Sequence, residues 1–536
     1  MGRKYRYLVL AFLTALGLRL YPTLLSGLPF STDAWSPIRN AELLLEHTPI
    51  SLDNALMDGY NCYWPANSLF GAVFSLATGL KPMVAMAFGI PMAGALTIPI
   101  FYALACMISR SHRLAFFGSF LLATAFPYAL FTAGVTKETY ANPIYMLSIL
   151  IFLSRGKWRR ALLFAIASSA LVLAHHLTAL VAIGIMASIA IASSIIRIRR
   201  ALSPDWFRFL LLSVLTVEEA LYFGLYAYRG LKVALTPNDL LSASSYEILA
   251  FAVTLYLSFR TQKPSDRRML PTCVPSAAIV SLIAFLCTQR PIMPDAPTLP
   301  GRYMLYAAPF ILEAPMMVLG LGELRGMEGE NSPSPLFWLS TLAGLEGYAV
   351  FGDSPLGLTL AYRALNFLCV PMMMLLAFGL QGLYKARGGP RRERAAKAYA
   401  ITALIVIAAL NSYSLYASVS LQERYLGYFW LYRQPEYCAA VWMKGLAGNE
   451  TILGDVKASY LLKEYFGLKF DAFEGLRYLA GKKGSKSQIL FTYDQMARNG
   501  YVVYGGYSID LPENWTERLY GLNLPYSNGP VSVYGG

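Results

Sequence analysis

The chain has 536 residues, 56% of them hydrophobic and 14% charged, with a mean hydropathy of +0.45, a balance that excludes an ordinary soluble domain. The formal net charge of +14 could suit a nucleic-acid binder, but beyond residue 418 the 12 Lys and Arg are matched by 11 Asp and Glu. The excess therefore lies in short loops between apolar runs, the pattern that orients a membrane protein and excludes a nucleic-acid groove.

Apolar runs long enough to cross a bilayer fall at 7–26, 83–108, 114–132, 141–154, 160–174, 177–196, 207–226, 245–260, 269–288, 303–322, 335–351, 364–384 and 398–417. The expected architecture is an all-α polytopic membrane protein of about thirteen transmembrane helices. Residues 1–6 and the apolar run behind them resemble a signal peptide, but no small-residue cleavage site ends the run, so it reads as a retained first helix. With the N-terminus cytoplasmic, the inner loops hold 24 Lys and Arg and the outer loops 8. That bias predicts a multi-pass protein of the plasma membrane with an extracytoplasmic C-terminus.

The stretch 67–80 is also apolar. Counting it as a crossing would put the basic clusters at 109–113 and 154–160 on the wrong side, so 35–80 is expected to be one external loop with interfacial helices. Helical spacing from Ile38 to His47 and the belt aromatics Tyr60, Tyr63 and Trp64 support this. Residues 1–417 then form the membrane domain, and 418–536 a small extracytoplasmic α/β domain. There the strand-like runs 488–492 and 531–534 stand among turn signals at 504–506 and 527–530. Asn449-Glu450-Thr451 and Asn514-Trp515-Thr516 are acceptor sequons for N-glycosylation if that domain is outside.

Six cysteines (Cys62, Cys106, Cys273, Cys287, Cys369, Cys438) stand singly, without the paired spacing of a zinc or redox motif. Cys62 and Cys438 share the outer side, where pairing and plain apolar burial both remain open.

The chemistry-bearing candidates gather on that same side. Asp33 stands in Gly27-Leu28-Pro29-Phe30-Ser31-Thr32-Asp33-Ala34-Trp35, where the first helix leaves the membrane; an ionisable group at that depth is a functional candidate by default. A helix N-cap or a plain loop acid is its rival role. Lys137 and Glu138 occupy the short loop Gly134-Val135-Thr136-Lys137-Glu138-Thr139-Tyr140, and the alternative for Glu138 is a pair with Lys137 or a helix cap. His175 and His176 precede Thr178 at a span end, where a satisfied pair at a helix turn competes with substrate contact. Arg302 and Arg363 each head an inbound span, as snorkelling anchors or as phosphate ligands. Trp35 is the aromatic beside the acid. Glu218 and Glu219 fall near the middle of the seventh span, where two carboxylates are expensive.

Such a set suits glycosyl transfer from a polyprenyl-phosphate donor. A carboxylate takes the proton of an attacking hydroxyl, and Arg or Lys holds the charge of the departing phosphate. A phosphate leaves readily, so one base with several cations suffices where a glycosidase needs two matched carboxylates.

Thr32-Asp33-Ala34-Trp35 after the first span, the long outer loop, the acid before the fourth span, about thirteen spans and an external C-terminal domain together resemble the GT-C superfamily of membrane glycosyltransferases. Its members include oligosaccharyltransferase catalytic subunits, protein O-mannosyltransferases and the lipid A aminoarabinose transferase. The resemblance implies that Asp33 is the first-loop catalytic acid, Glu138 the second-loop acid, and Arg302 or Arg363 an arginine on the donor. The metal stays open: a divalent ion, Mn or Mg, if present, would be held by Asp33 and Glu138. Two departures stand against the oligosaccharyltransferase pattern. The second loop reads Lys-Glu-Thr in place of spaced paired acids. The Trp-Trp-Asp-Tyr-Gly sequon reader is absent, with Trp430, Trp442 and Trp515 standing alone.

The function expected is an inverting transferase from a polyprenyl-phosphate sugar donor to a protein, glycolipid or surface-polymer acceptor, with no nucleic-acid partner. The rivals are an oligosaccharyltransferase with a diverged reader, and a non-enzymatic flippase or transporter of lipid-linked sugar.

Overall fold

The computed structural model describes residues 3–47, 57, 60–231, 236–259, 266–291, 296–325, 327, 329–352, 357–385, 389–427, 430–446, 448, 450–482, 489–504 and 507–535. The first half runs α1 (Arg3–Ser26), α2 (Trp35–Glu46), α3 (Ala66–Thr78), α4 (Pro82–Ala95), α5 (Thr97–Ser109), α6 (His112–Thr124), α7 (Phe126–Phe131), α8 (Lys137–Leu153), α9 (Trp158–Ala174), α10 (His176–Arg199) and α11 (Trp206–Leu225). It continues through α12 (Pro237–Phe259), α13 (Asp266–Gln289), α14 (Met304–Arg325), α15 (Ser334–Phe351), α16 (Gly357–Tyr384) and α17 (Pro390–Val419).

Each apolar run read from the sequence coincides with one of these helices or with a consecutive pair, α4 with α5 and α6 with α7. Among the described residues, seven helical stretches are long and apolar enough to cross a membrane: Tyr5–Ser26, Pro82–Ser109, His176–Arg199, Pro237–Phe259, Gly301–Arg325, Thr359–Tyr384 and Pro390–Val419. The chain is a helical multi-pass membrane protein. Helix α3 has 13 residues and spans about 20 Å at 1.5 Å per residue, short of the roughly 30 Å hydrocarbon core.

The chain divides into two compact units. The first comprises residues 1–19, 92–132 and 138–416 and is a helical bundle. Its tightest crossing is α14 on α16. A Cβ placed on Gly320 would land on the carbonyl oxygen of Leu375, and one on Gly379 would land on that of Met316. Glycine at both positions lets the two backbones touch, the close approach that small residues permit between membrane helices.

The second unit comprises residues 20–91, 133–137 and 417–536. Its C-terminal part carries α18 (Gln434–Leu446), β1 (Ile452–Leu453), α19 (Val456–Ser459), β2 (Phe470–Asp471), α20 (Ala472–Leu479), β3 (Ile489–Tyr493), α21 (Asp494–Asn499), β4 (Tyr501–Tyr504), β5 (Tyr507–Asp510), β6 (Asn523–Ser527) and β7 (Val531–Gly535). A five-stranded mixed sheet has the order β2-β1-β3-β7-β6, and β4 and β5 form a separate hairpin. The two runs read as strands are β3 and β7, paired antiparallel with Phe491 opposite Val533. The turn signal at 527–530 joins β6 to β7, with Gly529 at φ 89°.

Gln488, Gly505, Gly506 and Asn449, which entered those readings, lie outside the described residues. Asn514 of the second sequon is exposed. Cys62 is buried and Cys438 exposed.

Helix α2 joins this unit through Glu42, which accepts a hydrogen bond from the Tyr465 hydroxyl at 2.9 Å. Burial pushes the Glu42 carboxyl above its ordinary range, against the opposing pull of Tyr465 and Arg39. A raised carboxyl favours its protonated form in the folded chain, so its contribution to stability is present below the unfolded pKa and is lost as pH rises through the folded one. Glu42→Gln, which keeps an oxygen acceptor for Tyr465, is expected to flatten the fall in melting temperature from pH 4.5 to 7.5. An unchanged pH profile would contradict this.

Candidate functional site

The turn that carries Asp33 begins where α1 ends. Gly27, at φ 69°, returns its N–H to the Thr23 carbonyl at 2.8 Å, the left-handed stop that glycine supplies to a helix. The chain behind it is pinned on both sides. The Phe30 carbonyl accepts the Val135 N–H at 2.8 Å, and the Ser31 N–H donates to the Trp430 carbonyl at 3.0 Å.

Between these anchors Ser31 adopts φ 99°, ψ 142°, and its Oγ accepts the Asp33 N–H. A non-glycine residue there costs on the order of 1–3 kcal/mol and persists only where its surroundings over-determine it. The result is a projecting carboxylate: from 28 to 38 every residue is buried except Asp33. The helix-cap alternative goes to other residues, since Ser31 caps the short turn 32–34 and α2 starts from Ala34 without a side-chain cap bond.

Trp35 is 0% exposed. Its ring meets Tyr432 edge-on at 5.0 Å, Tyr437 stacked at 6.1 Å and Tyr465 at 5.3 Å. This corrects its reading as a substrate-contacting aromatic, because its surface is spent holding α2 to the C-terminal segment.

Lys137, also in the second unit, is 8% exposed. Its Nζ lies 3.6 Å from the Tyr60 ring centroid and 5.4 Å from that of Trp64, a cation–π placement that fixes the ammonium. Beside it Asn61 donates to Ser36 Oγ at 2.8 Å, and Ser36 stands one helical turn beyond Asp33.

The chain passes into the first unit between Lys137 and Glu138. Glu138 sits in the first turn of α8, where the helix dipole favours an anion. It is 6% exposed. Asn366 Nδ2 donates to its Oε1 at 2.7 Å, and the Arg363 guanidinium stands 3.7 Å from Oε2. The acid and the arginine that the sequence placed on one side thus form an ion pair.

Asn366 is the partner that sequence reasoning missed. Its signal was the spacing from Arg363, one turn along α16, which puts both on one face. Asn366→Leu leaves a buried carboxylate oxygen without its donor, and about 1–3 kcal/mol of stability is expected to go with it. Thermal unfolding in detergent checks this, and an unchanged melting temperature would refute it.

His175 is buried, and its Nδ1 is 2.7 Å from Thr178 Oγ1. It forms the junction of α9 and α10 as a satisfied pair, the bland role allowed for it. The His176 ring stands 5.1 Å away and is half-buried. Arg302 is exposed in the short turn Gly301–Tyr303 that leads into α14, with its guanidinium 5.8 Å from the Tyr303 ring. Glu218 accepts from Ser169 of α9 at 3.0 Å and Glu219 is buried, so one of this pair is a helix-to-helix bond.

One Glu138 oxygen accepts from Asn366, the other faces a guanidinium, and no group of three or more His, Cys, Asp or Glu gathers among the described residues. No step below is routed through a metal.

No family model and no curated protein matches the chain. Solved structures do. The oligosaccharyltransferase of Archaeoglobus fulgidus, crystallised with zinc and sulfate, is similar at a TM-score of 0.61 and 13% identity, over 99% of this chain and 73% of its own. The archaeal oligosaccharyltransferase AglB from Archaeoglobus fulgidus, in complex with an inhibitory peptide and a dolichol-phosphate, gives 0.55 at 13% identity, over 92% of this chain and 70% of its own. The likeness is one of fold.

Proposed function

We propose that the chain is an inverting glycosyltransferase that moves a sugar from a polyprenyl-phosphate carrier to a protein, glycolipid or surface-polymer acceptor on the extracytoplasmic face. The observation that carries this reading is Asp33, the lone exposed side chain of an otherwise buried turn held in a strained backbone at Ser31. Strain of this kind collects at functional sites.

In the proposed step the acceptor oxygen attacks the anomeric carbon while its proton passes to the Asp33 carboxylate. The bond from that carbon to the phosphate oxygen breaks, and its electron pair leaves with the polyprenyl phosphate. Displacement from the face opposite the leaving group inverts the configuration. Lys137, Arg302 and Arg363 supply the positive charge that holds the departing phosphate. Glu138 acts by fixing Arg363 for that task, and His176, not the satisfied His175, is the histidine offered to the substrate. The dolichol-phosphate bound by the Archaeoglobus neighbour supports a polyprenyl-phosphate donor, and the peptide in the same complex supports a protein acceptor.

The test is the purified chain in liposomes with a panel of polyprenyl-phosphate hexoses, reading the polyprenyl phosphate released with and without an extract of acceptor glycolipid and protein. Acceptor-dependent release is expected. The second reading, an oligosaccharyltransferase, draws on the peptide complex of the neighbour. EDTA-sensitive transfer of a lipid-linked oligosaccharide to a sequon peptide would favour it. Movement of intact donor across the bilayer without release would favour the transporter.

A further inference from the structure

We infer that Glu313 and Asn411 form a positioning pair that sets the break between α6 and α7 and, through it, the place of Glu138; the inference rests on the reading of Glu138 as part of the transfer machinery.

The break lies at Ala125, at φ −50° and ψ 115°, and α7 restarts at Phe126 with proline next. The first N–H groups of any helix lack a partner within it. That of Phe126 is answered from another helix, since Asn411 Oδ1 of α17 accepts it at 2.9 Å.

An amide can present either its oxygen or its nitrogen, and a neighbour decides which. Asn411 Nδ2 donates to Glu313 Oε1 of α14 at 3.0 Å and to the Ile407 carbonyl at 3.1 Å. With its nitrogen so engaged, the amide turns its oxygen to Phe126. Glu313 is 1% exposed and stands between Pro309 and Pro315 of α14. Among the described residues its Oε2 has no hydrogen-bond partner. A carboxyl buried among apolar helices is costly, and here it orients an amide.

The other end of α7 reaches the acid. The helix has 6 residues, and the carbonyl of its last, Phe131, accepts the Thr139 hydroxyl at 2.9 Å. Thr139 follows Glu138. Hydrogen bonds and one short helix therefore run from Glu313 through Asn411, Phe126 and Phe131 to Thr139, the residue beside Glu138. Simple gluing of α14 to α17 would need only the first of these bonds, and it would leave α7 indifferent to the state of Glu313.

The test is hydrogen–deuterium exchange of the full chain in nanodiscs, together with turnover of the best polyprenyl-phosphate hexose. Asn411→Leu and Glu313→Leu are expected to speed exchange across 126–139 about tenfold or more while the sheet of the C-terminal segment is unchanged, and to lower kcat about tenfold at constant KM. Glu313→Gln, which keeps the oxygen acceptor, is expected to behave as wild type in both. Wild-type protection of 126–139 in both leucine variants, or a rise spread evenly over the bundle, overturns the inference. If Asn411→Leu does not assemble, the Glu313→Leu and Glu313→Gln comparison decides alone. Glu138→Gln separates the two claims. Full turnover in that variant removes the role given to Glu138, whereas a dead Glu138→Gln with an unaffected Glu313→Leu removes only the positioning pair.

Discussion

Asp33→Asn is expected to lower kcat for transfer by about 10³-fold, within the range of 10²–10⁴ that a positioned general base supplies, with no loss of folded protein. The reason for both halves is the geometry of the turn. Asp33 is exposed while its neighbours are buried, and the turn is held by backbone bonds of Phe30 and Ser31 to Val135 and Trp430 that an amide at position 33 does not touch. Asparagine keeps the shape and loses the proton acceptor. Steady-state kinetics beside a melting curve is the measurement. A variant that turns over as wild type would remove the base, and one that is inactive because it has unfolded would contradict the account of the turn.

Gly320→Leu is expected to abolish assembly of the helical bundle. At Gly320 the added carbon would lie 1.8 Å from the Leu375 carbonyl oxygen, and α16 has no way to yield without losing contact along its length, since at Gly379 it would lie 2.0 Å from the Met316 carbonyl oxygen of α14. Interiors transmit such strain because they are packed close to crystal density, and overpacking by even a methylene already costs about 1–3 kcal/mol. Helix α16 also carries Arg363 and Asn366, so the crossing that accepts only glycine holds the partners of Glu138. The control is Gly224→Ala in α11, where nothing lies within 4 Å of the added carbon. There the gain in helix propensity of up to about 1 kcal/mol should show as equal or better stability. Size-exclusion profiles of the two variants in detergent check the contrast, and a monodisperse Gly320→Leu protein would refute it.

Much of the fold was legible because its signals are local. An apolar run of twenty residues reads as a helix whatever it packs against, and the alternation in 531–534 reads as a strand before its partner is known. Asp33 stood out for the same reason, as an acid at the end of the first run, whereas the ion pair of Glu138 with Arg363 replaces the pair with Lys137 that adjacency in the sequence suggested. Three features had no local signal. Ser31 carries no mark of a left-handed backbone, since glycine or asparagine is the usual sign and the conformation here is imposed by Val135 and Trp430. Trp35 looks the same in sequence whether it stacks on a sugar or on Tyr437. The Glu313–Asn411 bond joins residues 98 apart in the chain, and no motif or spacing links the two.

The central claim is a single displacement at the anomeric carbon of a lipid-phosphate sugar, and the anomeric configuration of the product tests it most directly. NMR of the glycoside formed from a donor of defined anomer is predicted to show the opposite configuration in full, with one polyprenyl phosphate released per bond made. Retained configuration, or donor consumed with no new glycosidic bond, would contradict it.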